Sequence, residues 1–189
     1  MALNIIHNKK LDDIIKNCVT GNNEAQKQLY NLYSAQMLSV CLRFLKSRMD
    51  AEDALHEGFI RVFKKIHTYS GKGSFEGWMR SLFVNVSLRM LENQKKLRIN
   101  EEEPEARQHA IPNGIIEQLH YEELIQLVHE LPDGYRVIFI MYAIEGFSHK
   151  EIAEQLNISE GTSKSQLSRA RDALRLKVKH FCKEISLSK

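Results

Sequence analysis

Apolar residues recur along most of this chain at intervals of three and four, the spacing that gathers side chains on one face of an α-helix. Leu11, Ile14, Ile15 and Val19 keep that interval until Gly21-Asn22 interrupts it. From residue 23 to about 47 it continues through Ala25, Leu29, Leu32, Tyr33, Met37, Val40 and Phe44. Asp50 is the expected cap of a third helix, which turns Ala51, Leu55, Phe59, Val62 and Ile66 inward. After a polar, glycine-bearing loop at 67–73, Ser74 is the expected cap of a helix reaching about residue 97. That helix is apolar on two sides, with Phe75, Trp78, Leu82, Val86 and Met90 on one and Val84, Leu88 and Leu91 on the other. A helix of this kind must be sandwiched. The polar stripe left to it is narrow: Ser81, Asn85, Glu92 and Lys96, with Arg89 at the border.

The pattern lapses between Ile99 and Gly114, where four glutamates and two prolines fall without helical period. This stretch is expected to be a flexible acidic linker. Helices are predicted to resume over about 115–131, 135–144, 148–156 and 160–183. No alternating apolar run suggests a strand. The expected fold is all-α: two small helical bundles, at 1–97 and 117–189, joined by a flexible linker over 98–116, with a helix-turn-helix in the second.

Composition narrows the function. The chain has 189 residues, 43% of them hydrophobic, enough to build a core. No apolar run reaches the roughly 18–20 residues of a membrane span, and the start lacks the basic and apolar regions of a secretory signal. A cytoplasmic protein without membrane insertion is expected. The net charge of +3 is segmented: +7 over residues 1–100, −8 over 101–135 and +4 over 136–189. Two basic blocks about an acidic one suit partners that carry polyphosphate. Cys18, Cys41 and Cys182 are far apart, with no C-x-x-C pair, so neither a metal site nor a disulfide framework is expected. The eight histidines fall apart from one another, and Gly71-x-Gly73 lacks a preceding strand and a third glycine. No catalytic residues and no cofactor are assigned.

The carboxy-terminal block carries the sharpest motif. Ser148 and Glu151 have capping-box spacing, Ile152, Ala153 and Leu156 form an inward face, and Asn157 suits a left-handed helix end. Ile158 is expected to enter the core, and Ser159 to cap a longer helix with Ser163, Leu167, Ala170 and Leu174 inward. Two helices across such a turn, with a small alanine at their crossing, make a helix-turn-helix. Gly161, Ser165, Ser168, Arg169 and Asp172 lie opposite, flanked by Thr162 and Lys164. Short donors and cations on the first two turns suit base edges and phosphates in a major groove.

Residues 147–174, with Glu-Ile-Ala-Glu-Gln-Leu, Ile158-Ser159-Glu160-Gly161-Thr162 and Leu167-Ser168-Arg169-Ala170-Arg171, resemble the promoter-reading helix-turn-helix of bacterial sigma factors of the extracytoplasmic-function (ECF) group. In that group this module binds the −35 promoter element as duplex, which implies DNA-binding roles for Thr162, Lys164, Ser165, Ser168, Arg169 and Arg171. Two departures stand out. Ser163 occupies a position where many members carry an apolar β-branched residue, and is expected to loosen the packing; Gln166 replaces a frequent Arg and removes a phosphate contact.

The amino-terminal block extends the resemblance. Asp53, Glu57, Ile60, Arg61 and Lys64 face outward on the third helix, where an exposed Ile among acids is what a polar-rimmed interface shows. The segment is similar to the sigma-factor helix that docks on the clamp of the largest polymerase subunit, which implies that Asp50, Asp53, Glu57 and Ile60 contact core polymerase. Tyr69, two glycines and Lys72 offer a stacking face, close backbone and a cation, which suit an unstacked single-stranded base. Residues 68–91 resemble the ECF segment that captures the −10 element as single strand, implying roles for Tyr69, Lys72, Trp78, Asn85 and Arg89. The implied function is transcription initiation: a sigma factor directing RNA polymerase to promoter DNA and opening it, with an anti-sigma protein as a further candidate partner. Two alternatives stand beside it. A stand-alone helix-turn-helix regulator would bind duplex DNA alone and sense a ligand through its first module. A polymerase adaptor would not read DNA at all.

Overall fold

The computed structural model describes residues 2–99 and 116–187, with side chains over 10–96 and 123–179. All regular structure among them is helical. The chain divides into two compact units, residues 1–106 and 107–189. Most of the stretch expected to link two bundles, residues 100–115, lies outside the described residues.

The first unit holds α1 (Ala2–Val19), α2 (Asn23–Phe44), α3 (Arg48–Lys65) and α4 (Phe75–Ile99). Gly21, at a φ of 78°, ends α1 with its amide on the Cys18 carbonyl. Asn22 starts α2 at once, its side chain accepting from the Ala25 amide at 2.9 Å. Ala25, Leu29, Met37, Val40, Cys41 and Phe44 are buried along α2. Leu32, expected among them, is 52% exposed. At 100° per residue it falls roughly 100° from the centre of that stripe.

The cap of α3 is Ser47, not Asp50. The Ser47 hydroxyl accepts from the Asp50 amide, which leaves the Asp50 carboxylate to accept from Gln94 Nε2 of α4 at 2.9 Å. The inward face of α3 carries the expected Ala51, Leu55, Phe59 and Val62, followed by Ile66 in a short 3-10 turn (Ile66–Thr68). Ser74 caps α4, its hydroxyl accepting from the Gly77 amide. The buried face of α4 is rotated from the expected one: Met79 and Phe83 are wholly buried, whereas Trp78 and Leu82 are only half-buried. Phe83 sits against Gly58 so closely that a Cβ there would lie 2.2 Å from its ring. A residue without a side chain therefore sets the approach of α3 to α4.

The second unit holds α5 (Ile116–His129), α6 (Asp133–Phe139), a π turn (Ile140–Ile144), α7 (His149–Leu156) and α8 (Glu160–Leu187). The predicted 135–144 helix thus begins two residues earlier and ends wide, with the Glu145 amide reaching the Ile140 carbonyl. The capping box at α7 is present, and Asn157 ends α7 with φ 52° and ψ 49°. The core is small: Leu127, Val128, Leu131, Ile138, Ile140, Met141, Ile152, Ala153, Leu167 and Ala170. Arg136 is buried with it and ion-pairs with Asp133 at 2.9 Å. Ile158, expected to enter the core, is half-buried.

Candidate nucleic-acid interfaces

In the second unit, α8 begins under control of one hydroxyl. Ser159 Oγ accepts from the Thr162 amide at 2.9 Å and lies 2.9 Å from the Thr162 hydroxyl. Ser163, Leu167 and Ala170 are buried, which fixes the opposite face as outward. Lys164, Ser165, Ser168, Arg169 and Arg171 are exposed along it, and Thr162 is half-buried at its edge. Lys164 lies 3.7 Å from Glu160, and both are exposed, so the pair is weak and leaves the cation available to a stronger anion. The outward Asp172 pairs with Arg175 at 3.3 Å. The face therefore offers hydroxyls and cations in the donor-rich pattern that base edges and phosphates accept.

Ser163 does not loosen the packing as expected. Its hydroxyl lies 2.9 Å from His149 Nδ1, at the first residue of α7. The His149 ring stacks on Tyr142 at 4.5 Å between centroids, and the Arg171 guanidinium stands 5.7 Å from the Tyr142 centroid. Sequence reasoning missed His149 and Tyr142, because their partners Ser163 and Arg171 on α8 lie too far along the chain to leave a periodic signal, and it missed Arg136, because burial of a cation has no local signature. Gln166 packs toward the start of α6, where a Cβ added to Gly134 would meet its Oε1 at 3.1 Å.

In the first unit the loop and α4 make an aromatic cluster. Tyr69, expected to offer a stacking face, is half-buried, with its hydroxyl donating to the Gly73 carbonyl at 2.8 Å and its ring against Phe75 and Trp78. Phe75 and Trp78 are stacked at 5.4 Å and 28°. Gly71 and Gly73 have φ values of 74° and 81°, a conformation that side chains disfavour, and they place the exposed Lys72 at the tip. Burial, then the Glu76 carboxylate, pushes the nearby Tyr33 hydroxyl above its ordinary pKa. Asn85 and Arg89 are exposed one helical turn apart on α4. Glu76 accepts from Gln36 at 2.6 Å and from Arg80 at 2.8 Å, tying α2 to the base of this surface.

The third helix carries a separate outward face. Asp53 is exposed and Ile60 is 47% exposed, far above the core residues around it. Glu57 accepts from Arg61 Nε at 2.7 Å, and Asp50 is held by Gln94, so two of the four expected contact residues are already oriented. Beside this face lies an open hollow of about 300 Å³ lined by Tyr30, Ser34, Ala35, Leu38, Glu52, Leu55 and His56. Among the described residues no helix is long and apolar enough to cross a membrane.

Known proteins place both units in one context. The family described as Sigma-70 region 2 matches residues 29–97, and Sigma-70, region 4 matches residues 121–174. The chain is 28% identical over 164 residues to the ECF RNA polymerase sigma factor SigE of Mycolicibacterium smegmatis, covering 82% of this chain and 63% of that longer relative. It is 27% identical over 173 residues to the ECF RNA polymerase sigma factor SigW of Bacillus subtilis, covering 85% of this chain and 92% of that one. Its fold resembles the sigma factor RpoE from Bartonella quintana, solved with the anti-sigma factor NepR, with a TM-score of 0.62, 19% identity and coverage of 81% and 96% of the two chains.

Proposed function

The chain belongs to the sigma-70 family as an RNA polymerase sigma factor of the ECF group, and on that premise we propose a division of labour between its two units. The second unit holds the −35 element as duplex, with Thr162, Lys164, Ser165, Ser168, Arg169 and Arg171 against it. The first unit docks on the clamp of the largest subunit of core polymerase through Asp50, Asp53, Glu57 and Ile60. It captures the −10 element as single strand through Tyr69, Lys72, Trp78, Asn85 and Arg89. The protein acts in the cytoplasm, and no reaction of its own is assigned to it. An anti-sigma protein is a further partner.

One observation carries this reading: a single chain presents both a donor-rich recognition helix and, in a separate unit, an aromatic platform beside a cationic glycine loop. Duplex reading needs the first; capture of an unstacked base needs the second. A regulator that only gripped duplex would have no use for the platform. Tyr69 and Trp78 are both half-buried in the cluster, the Tyr69 hydroxyl tied to Gly73, so the two rings act together as the platform.

The test is permanganate reactivity of promoter thymines, on linear and pre-melted templates, with the chain assembled on core polymerase. Alanine variants of Trp78, Lys72 and Asn85 should still join polymerase and fail to open linear DNA. Stacking of one base is worth about 1–3 kcal/mol, so Trp78→Ala should reduce open complexes roughly 5- to 150-fold. A pre-melted bubble should recover part of that loss. The pair Asp53→Arg with Ile60→Lys should fold as the parent does and no longer recover core polymerase. Normal opening by all three alanine variants would overturn the assignment of −10 capture to these residues.

A further inference from the structure

The recognition helix is fixed to the rest of its unit by a polar and aromatic relay that the sequence pattern does not announce. Ser163 is fully buried at the first turn of α8, so its hydroxyl needs a partner to stay there. His149 Nδ1, at 2.9 Å, provides one from the start of α7. The same ring lies flat on Tyr142 of the π turn, at 4.5 Å and 23°. Tyr142 in turn sits 5.7 Å from the Arg171 guanidinium, within the reach of a cation–π contact. One imidazole therefore connects residue 163, between Thr162 and Lys164 on the reading face, with Arg171 two turns further along the same helix.

We propose that His149 is a positioning residue for duplex recognition: through Ser163 it sets the seat of α8, and through Tyr142 it holds Arg171 where a phosphate contact forms. The proposal rests on the duplex-reading role of α8 given above. The directional bond replaces what an apolar side chain at 163 does by packing alone. A hydrogen bond fixes one orientation of the helix, whereas an apolar contact tolerates small rotations. Neither His149 nor Ser163 touches DNA in this scheme. Their effect reaches the ligand only through the helix and through Arg171.

The experiment uses the full chain on core polymerase and a duplex selected from randomised DNA by the parent assembly. All binding is measured below the melting range of every variant. His149→Phe keeps a flat ring for Tyr142 and removes the nitrogen, leaving the Ser163 hydroxyl without it. Its affinity for the selected duplex should fall on the order of tenfold, with reduced preference over singly substituted duplexes. Tyr142→Leu keeps the Ser163 bond and removes the seat of Arg171, so the salt slope should drop by about one unit. The pair His149→Phe with Ser163→Val restores a matched apolar contact and should regain affinity and preference together. If His149→Phe lowers the melting temperature but leaves affinity and preference unchanged, the relay is structural only and the proposal falls. Lys164→Ala and Arg169→Ala serve as separate controls. Unchanged binding by both would remove the duplex-reading role of α8 itself, an outcome distinct from failure of His149 alone.

Discussion

The two units solve the same problem, holding a helix steady while one of its faces stays exposed, with different materials. The first unit buries four phenylalanines, Phe44, Phe59, Phe75 and Phe83, and brings α3 against α4 through Gly58. In the second, no aromatic ring is fully buried among the described residues, while Ser163 and Arg136 are. Volume fixes the first unit and directional polar contacts fix the second. A large apolar core resists rotation because close-packed rings have few alternative arrangements. A core of mostly aliphatic residues gains its single arrangement from bonds that have only one good geometry. The two units should therefore fail by different kinds of substitution.

The largest expected effect belongs to the first unit. Gly58→Ala places a methyl group 2.2 Å from the Phe83 ring, and that ring is wholly buried. Overpacking of this kind destabilises by about 1–3 kcal/mol. Trp78 is the one tryptophan and lies in this unit, so its fluorescence during urea unfolding follows the first unit. The midpoint should fall, while hydrogen exchange in α7 and α8 stays as in the parent. Phe83→Leu added to Gly58→Ala should recover part of the loss. An unchanged midpoint for Gly58→Ala would mean that α3 and α4 do not approach so closely, and the contrast between units would lose its basis.

A smaller effect tests the second unit. Asn157 is the residue other than glycine with positive φ among those described, and it turns the chain between the two helices of the motif. Alanine in that conformation is disfavoured by roughly 1 kcal/mol, since its Cβ crowds the carbonyl and its side chain offers no local hydrogen bond. Asn157→Ala should raise hydrogen exchange in α7 and the first turns of α8, and Asn157→Gly should leave it near the parent. Trp78 fluorescence should report no change in either. A shift in the Trp78 midpoint would show that the two units do not unfold separately.

Much of this was legible in the sequence, for reasons that also explain the misses. The faces of α3 and α8 were readable because each has one apolar stripe, and the capping box at Ser148 and Glu151 because its signal is local. The inward face of α4 was misjudged at Trp78 and Leu82 because a helix apolar nearly all round gives a wheel without a clear direction. Asp50 was taken for the cap of α3 because Ser47 and Asp50 are both capping residues one turn apart, and the hydrogen bond runs between them. The aromatic composition of the loop was visible, but the engagement of Tyr69 with Gly73 and Phe75 depends on how the loop folds back. The His149–Ser163 contact joins two helices and was hidden for the same reason.

The smallest expected effect distinguishes the units by how each starts a functional helix. At α3 the first turn is held by the neutral Ser47 hydroxyl, whose bond to the Asp50 amide does not titrate. At α7 the Glu151 carboxylate takes part, accepting from the Ser148 hydroxyl at 2.7 Å and the Ser148 amide at 2.8 Å. The side-chain bond, then the backbone bond, hold the Glu151 carboxyl below its ordinary value of 4.5. A depressed folded-state pKa means that the folded state binds this proton less readily than the unfolded one. The box therefore stabilises fully above 4.5, and the contribution is lost as pH falls through the lower folded-state value. Glu151 is exposed, so solvent screens the interaction and the effect is modest. Hydrogen exchange of the first α7 amides should rise on acidification below 4.5 relative to Glu151→Gln, whose neutral amide still accepts and does not titrate in this range. Equal acid response in parent and Glu151→Gln would show that the carboxylate does not carry the cap, and α7 would then start as α3 does, on a neutral hydroxyl.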